Sequence, residues 1–130
     1  MERRHIDIPD KKLPRGMDRW PFSDAVRAGD TLYVSGRLGL DPETRRPPAD
    51  VSDEARLAMD DVQRVLRVAE MTCDDLVMVT IFGDATHFAA FNAVYLTYFN
   101  GPPPARAFIG SGPLLFGARF EITAIAVMSS

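Results

Sequence analysis

Residues 118–127 read "ARFEITAIAV", and their alternation is hard to reconcile with a strand that has one wet face. Successive side chains of a strand point to opposite faces, so Phe120, Ile122, Ala124 and Ala126 share one side and Arg119, Glu121, Thr123, Ile125 and Val127 the other. Both sides stay apolar toward the C-terminal end. Such a strand belongs in a sheet covered on both faces.

The neighbouring sequence supplies the rest of that sheet. Residues 105–110 form a second apolar strand, joined to the first by the Gly- and Pro-rich "SGPLLFG". "DLVMVTIFGD", residues 75–84, is a β-branched run too short for an ordinary helix. "FSDAVRAGDTLYVSGRLGL", residues 22–40, holds two extended runs around a Gly29–Asp30 turn and predicts a hairpin of residues 22–28 and 31–37. "DPETRRPPAD", with three prolines, is a loop.

Two helices lie between these strands. From Ser52 to Met71, Ala55, Met59, Val62, Leu66 and Ala69 recur at helical spacing, with Val65 widening the stripe. Asp50 or Ser52 caps it, and Asp53 and Glu54 are first-turn anions. A second helix starts near Thr86, presents Phe88, Phe91, Val94, Tyr95 and Tyr98, and is ended by Gly101 and three prolines. His87 falls in its first turn and reads as a surface residue.

The order β β α β α β β predicts an α+β fold, a mixed sheet with both helices packed on one face. Residues 1–130 make a single domain, with 1–20 an irregular lead-in. The face away from the helices needs a cover that one chain cannot supply. A cyclic homo-oligomer follows.

Composition narrows the function. Fifteen Lys+Arg against eighteen Asp+Glu leave a net charge of −3, without the basic cluster that phosphate binding uses, so nucleic acid is not expected. The opening "MERRHIDIPDKKLPRG" lacks the apolar core of a signal peptide, and no apolar run reaches the ~18 residues of a membrane helix; the expected location is cytoplasmic. Cys73 is the single cysteine, and the acidic residues after it raise a thiol pKa. His5 and His87 fit no ligand spacing, so no metal site is expected.

Two ionisable residues invite explanation. Arg106, at the start of "ARAFIG", reads on its own as a solvated strand-end charge. Glu121 sits within the apolar "FEITAIAV", where a carboxylate needs a partner or a task. The two residues either approach one another, as a structural ion pair or a site, or reach one cavity from two subunits.

In order and spacing, "FSDAVRAGDTLYVSGRLGLDPET", "FAAFNAVYLTYF", "PPARAF" and "FEITAIAV" resemble the RidA/YjgF reactive intermediate deaminase family over roughly residues 20–128. The resemblance implies a chorismate-mutase-like α+β fold, a homotrimer with interfacial pockets, and hydrolysis of 2-imino or enamine acids to 2-oxo acids and ammonia without cofactor or metal. It implies that Arg106 grips the substrate carboxylate, for which a planar fork of donors suits better than a point charge. Glu121 then positions the attacking water. Ser35, Gly36, Asn92 and Ala107 line the substrate pocket with Phe22 and Phe108.

Four positions depart from the family. Phe22 stands where a tyrosine is common and Phe108 where a small residue is, which makes the pocket more apolar. Asp24 and Arg37 each replace a glutamine, and predict either an exposed salt bridge across the hairpin or an Arg37 that reaches the pocket mouth and selects a second acidic group on the substrate. Two other functions stay open: a noncatalytic binder of 2-oxo acids or other small carboxylates, and a ribonuclease or translation inhibitor.

Overall fold

The computed structural model describes residues 2–9, 11, 13 and 15–129. Six strands, β1 (Arg3–Ile6), β2 (Ala25–Ala28), β3 (Thr31–Leu38), β4 (Leu76–Gly83), β5 (Ala105–Gly110) and β6 (Phe120–Val127), form one sheet in the order β1-β2-β3-β6-β4-β5. Among these strands β4 and β5 alone run parallel, joined through the second helix. The mixed α+β architecture and the strand limits agree with the sequence reading at β4, β5 and β6 to within a residue or two.

The N-terminal lead-in differs from its expectation. Arg3 to Ile6 pair with Ala28 to Ala25, although three of the four side chains are exposed and only Ile6 enters the core. Backbone hydrogen bonding to the free edge of β2 recruits this segment, and that leaves no alternation for a sequence reading to detect. Residues 1, 10, 12 and 14 of the lead-in, and residue 130, lie outside the described residues.

The hairpin turns at Gly29, whose φ of 61° suits the residue without a side chain. Helix α1 (Val51–Val68) starts at Asp50, whose carboxylate accepts the Asp53 N–H at 3.0 Å. It stops short of Met71 because Glu70 turns to a φ of 62°. The Met71 and Glu70 N–H groups then fold back on the Leu66 and Arg67 carbonyls, a Schellman closure built without glycine. Helix α2 (Phe88–Tyr95) follows a tight turn capped by Asp84 and gives way to a 3-10 turn at Leu96, so it ends before the Gly-Pro stop.

Both helices cover the same face. Leu32, Val79, Ile81, Phe120, Ile122 and Ala126 are buried under Ala55, Met59, Val62, Leu66 and Phe91. Burying these side chains is worth about 1.5–3 kcal/mol each for the larger ones and carries the fold. The other face carries Tyr33, Met78, Thr80, Thr123 and Ile125 around a shallow dip, with Tyr33 half exposed. Among the described residues no helix is long and apolar enough to cross a membrane.

Candidate functional site

Register decides where the two ionisable residues stand. Arg106 pairs with Val79 on β4, and Glu121 pairs with Phe82 on the same strand. An offset of three along a strand is odd, so the two side chains leave the sheet on opposite faces. One chain therefore cannot bring them into one pocket or into an ion pair. Of the readings open from sequence, a direct contact within the chain is removed.

Arg106 lies on the helix side of the edge strand β5. Its guanidinium carbon sits 4.9 Å from the Tyr95 ring centroid and 5.5 Å from that of Phe88. Phe88, Asn92 and Tyr95 recur at i, i+4 and i+7 on α2, so Asn92 stands between the two rings beneath the cation. Among the described residues the Arg106 guanidinium has no carboxylate within ion-pair distance and makes no hydrogen bond. Stacking fixes the plane of the fork and leaves its donors unspent.

Three polar side chains of α2 and of the segment just after β5 are also unspent. Asn92 Oδ1, Tyr95 OH and Ser111 Oγ are all buried without a hydrogen-bond partner among the described residues. Burial, partly offset by the Arg106 charge, pushes the Tyr95 hydroxyl up to about 12, so it stays a neutral donor. Phe108, two residues on and on the same face, packs edge-on against Phe88 and Phe91 at 5.2 and 6.0 Å. Its ring belongs to the wall beside Arg106, held in the helix layer. Ala107 points to the other face, next to Thr80.

Glu121 is seated differently. Ser35 and Gly36 form a bulge where β3 slips its register against β6, between Val34 and Arg37. A Cβ on Gly36 would come within 2.9 Å of the Glu121 carboxyl carbon, so only glycine lets the carboxylate lie against this backbone. Ser35 Oγ donates to the Ser23 carbonyl at 2.6 Å, which commits its proton to the scaffold. Phe22, half exposed, precedes Ser23 and packs on Trp20 at 5.5 Å beside a cleft of about 590 Å³. Gly36 and Glu121 thus meet at the bulge beside Ser35, Arg106 and Phe108 lie on the helix side against α2, and Phe22 packs against Trp20 and Lys11.

Arg37 is the residue whose expected place is corrected. The expected Asp24–Arg37 salt bridge forms, at 3.0 Å, but it is buried rather than exposed: Arg37 is 6% and Asp24 3% exposed. Arg37 Nη1 also reaches Asp61 of α1 at 3.4 Å. The bulge turns Arg37 toward the helix layer, opposite to the direction a regular alternation from Tyr33 gives. Burial raises the pKa of the Asp24 carboxyl, but the Ile8 N–H, Lys11 and Arg37 outweigh it and hold that pKa below its ordinary value.

A second buried carboxylate was read from sequence only as a helix-start anion. Glu54 is 0% exposed and accepts the Arg119 N–H at 2.6 Å and the Arg119 Nε–H at 2.5 Å. Arg119 also holds the carbonyls of Pro48 and Ala49. Its place in the alternation of β6 gave no sign of this, because it precedes the strand. Cys73 is buried, and burial followed by the Asp74 charge pushes its thiol up to about 11. Among the described residues no cluster of three or more His, Cys, Asp or Glu is arranged to hold a metal.

A six-stranded mixed sheet with two helices on one face, an unspent arginine at its edge and a carboxylate on a glycine bulge define a small α+β protein of a particular class. The family model described as Endoribonuclease L-PSP matches residues 17–128, and the chain belongs to that family, also known as RidA/YjgF. The mouse 2-iminobutanoate/2-iminopropanoate deaminase is 38% identical over 109 residues, spanning 82% of this chain and 81% of that protein. The crystal structure of the E. coli YjgF gene product superposes with a TM-score of 0.84 at 31% identity, covering 97% of this chain and 99% of that one. E. coli TdcF with bound serine gives 0.79 at 32% identity, over 85% and 91% of the two chains.

Proposed function

We propose that this protein hydrolyses reactive 2-imino or enamine acids to 2-oxo acids and ammonia, at sites formed between the subunits of a homotrimer. The observation that carries the proposal is the Arg106 guanidinium, oriented by two aromatic rings with its donors free among the described residues. Such a fork takes a substrate carboxylate through two parallel charge-assisted hydrogen bonds. The names of relatives such as the mouse deaminase support the reaction class.

Glu121 supplies the other half. Its carboxylate accepts a proton as water adds to the protonated imine carbon, giving a carbinolamine, and returns that proton to the nitrogen; Glu121 then takes the hydroxyl proton as the carbonyl forms and ammonia leaves. The iminium carbon is already electrophilic, so orientation and charge complementarity suffice without a covalent intermediate. Because Arg106 and Glu121 leave one sheet on opposite faces, the Arg106 of one subunit meets the Glu121 of another. The apolar open face, with Tyr33, Ile125 and Val127, supports that association.

A site that only held a carboxylate would need Arg106 but no Glu121 against Gly36. A ribonuclease, the activity in the family's description, has less support: the net charge is −3 and no basic run is present. The test generates 2-iminopropanoate in situ and follows pyruvate formation with the wild type, Arg106→Ala and Glu121→Ala. Acceleration by the wild type, lost in both variants, is expected. An inert wild type that still binds pyruvate through Arg106 would replace catalysis by binding.

A further inference from the structure

Beneath the Ser35–Gly36 bulge lies a device that the reaction described above does not itself use. Arg37 Nε donates to the Ser35 and Gly36 carbonyls together, at 3.1 Å each. Its Nη2 binds Asp24 at 3.0 Å and its Nη1 faces Asp61 at 3.4 Å. Each guanidinium nitrogen has a partner, and the side chain is buried. Asp24 in turn holds the Ser35 N–H through its own carbonyl at 2.9 Å and is fixed by the Ile8 N–H at 2.7 Å.

These contacts converge on the two residues that form the seat of Glu121. The bulge carries no side-chain packing of its own at Gly36, and a bulge leaves ladder hydrogen bonds unmade. Something must set the orientation of its two peptide planes. We infer that Arg37 is a positioning residue for Glu121: a single guanidinium clamps both carbonyls of the bulge, and Asp24, just before β2, and Asp61 on α1 hold that clamp between them. The inference rests on the proposed role of Glu121 in water activation, and it deepens that reading.

A purely structural role for the buried trio would look different under mutation. Glutamine, which the family resemblance puts at both positions, has a neutral amide. Arg37→Gln alone leaves Asp24 with one cation fewer and the bulge with a shorter, single-armed donor. Arg37→Gln combined with Asp24→Gln removes the charge imbalance and restores a neutral donor beneath the carbonyls.

Three variants separate the possibilities: Arg37→Gln, Asp24→Gln with Arg37→Gln, and Arg37→Lys. Activity on 2-iminopropanoate is compared with the carbon NMR titration of the Glu121 carboxyl and with thermal melting. For Arg37→Gln the expected result is a fall in kcat of about ten- to hundredfold, with KM within about twofold, since misplacement of a catalytic group by an ångström costs rates of that order. The Glu121 carboxyl signal shifts in the same variant. The double variant recovers kcat to within about threefold, and Arg37→Lys, which cannot clamp two carbonyls and two carboxylates, does not recover.

The inference is overturned if Arg37→Gln, well folded, leaves kcat and the Glu121 titration as in the wild type. It is also overturned if kcat falls only in proportion to folded protein, or if the double variant melts normally yet stays inactive with Glu121 unmoved. An inert wild type whose Glu121 signal still responds to Arg37→Gln would sink the imine reaction and leave the positioning role standing.

Discussion

Arg37 and Arg106 are two arginines on strands of the same sheet, both turned toward the helix layer, and they are opposites in how their donors are used. Arg37 spends its guanidinium on two carbonyls and two carboxylates. Arg106 lies over Tyr95 and Phe88 and spends none among the described residues. A buried cation with a full set of partners is part of the scaffold; one that is oriented and left unsatisfied is prepared for a ligand. The difference lies in the partners that surround each arginine, since residue type and strand position are alike.

The largest effect should come from breaking the satisfied arginine's partnership. Asp24→Ala strands Arg37 in the interior and is expected to cost about 3 kcal/mol, lowering Tm by roughly 10 °C. Calorimetry checks this, and a loss below 1 kcal/mol would show that water or Asp61 compensates. Arg106→Ala is expected to do the reverse. Stability stays within about 1 kcal/mol, because a half-exposed stacked cation contributes little. Meanwhile kcat/KM for an imino acid drops about a hundredfold, and Arg106→Lys recovers only part of it.

Gly36→Ala tests the second half of the site. A methyl group there collides with the Glu121 carboxylate, so kcat should fall about tenfold while the far half, around Arg106, still binds a 2-oxo acid with unchanged affinity, measured by calorimetric titration. The smallest effect concerns pH. The Asp24 carboxyl titrates lower in the folded state than in the unfolded chain, so its contribution to stability is complete above the unfolded value of about 4. It is lost as pH falls through the lower folded value. The stability gap between wild type and Asp24→Asn, read from urea midpoints, should therefore be constant from pH 7 to about 5 and shrink below about 4.

Much of this molecule is legible in its sequence because its core elements bury alternating or helical stripes. β6 and α1 could be drawn from their apolar residues alone. β1 could not, since Arg3, Arg4 and His5 are exposed and the strand is held by backbone pairing. The same distinction applies to the site. Arg106 and Glu121 stand out as charges in apolar runs, and a family resemblance names them, but their placement on opposite faces depends on the register of β4 against two neighbours.

The pairing of Arg37 with Asp24 was legible, but its burial was not, because a two-residue bulge turns the Arg37 side chain toward the helix layer. No periodicity argument survives such a bulge unless the bulge itself is recognised. The Ser35–Gly36 pair offered the only hint. Glu54 was hidden for another reason: a carboxylate in a helix's first turn already has an adequate local explanation, and its true partner, Arg119, lies 65 residues away.

The position of β6 has a consequence for how the protein is made. This strand follows all the others in chain order, yet it occupies the middle of the sheet, between β3 and β4. During synthesis β1, β2 and β3 can associate as one piece, and β4 with β5 as another, but the two pieces have no strand in common until β6 arrives. The growing chain therefore carries two unsatisfied inner edges until translation of the sheet is complete, and a ribosome that stalls within β6 releases a product that is open to pairing with other chains.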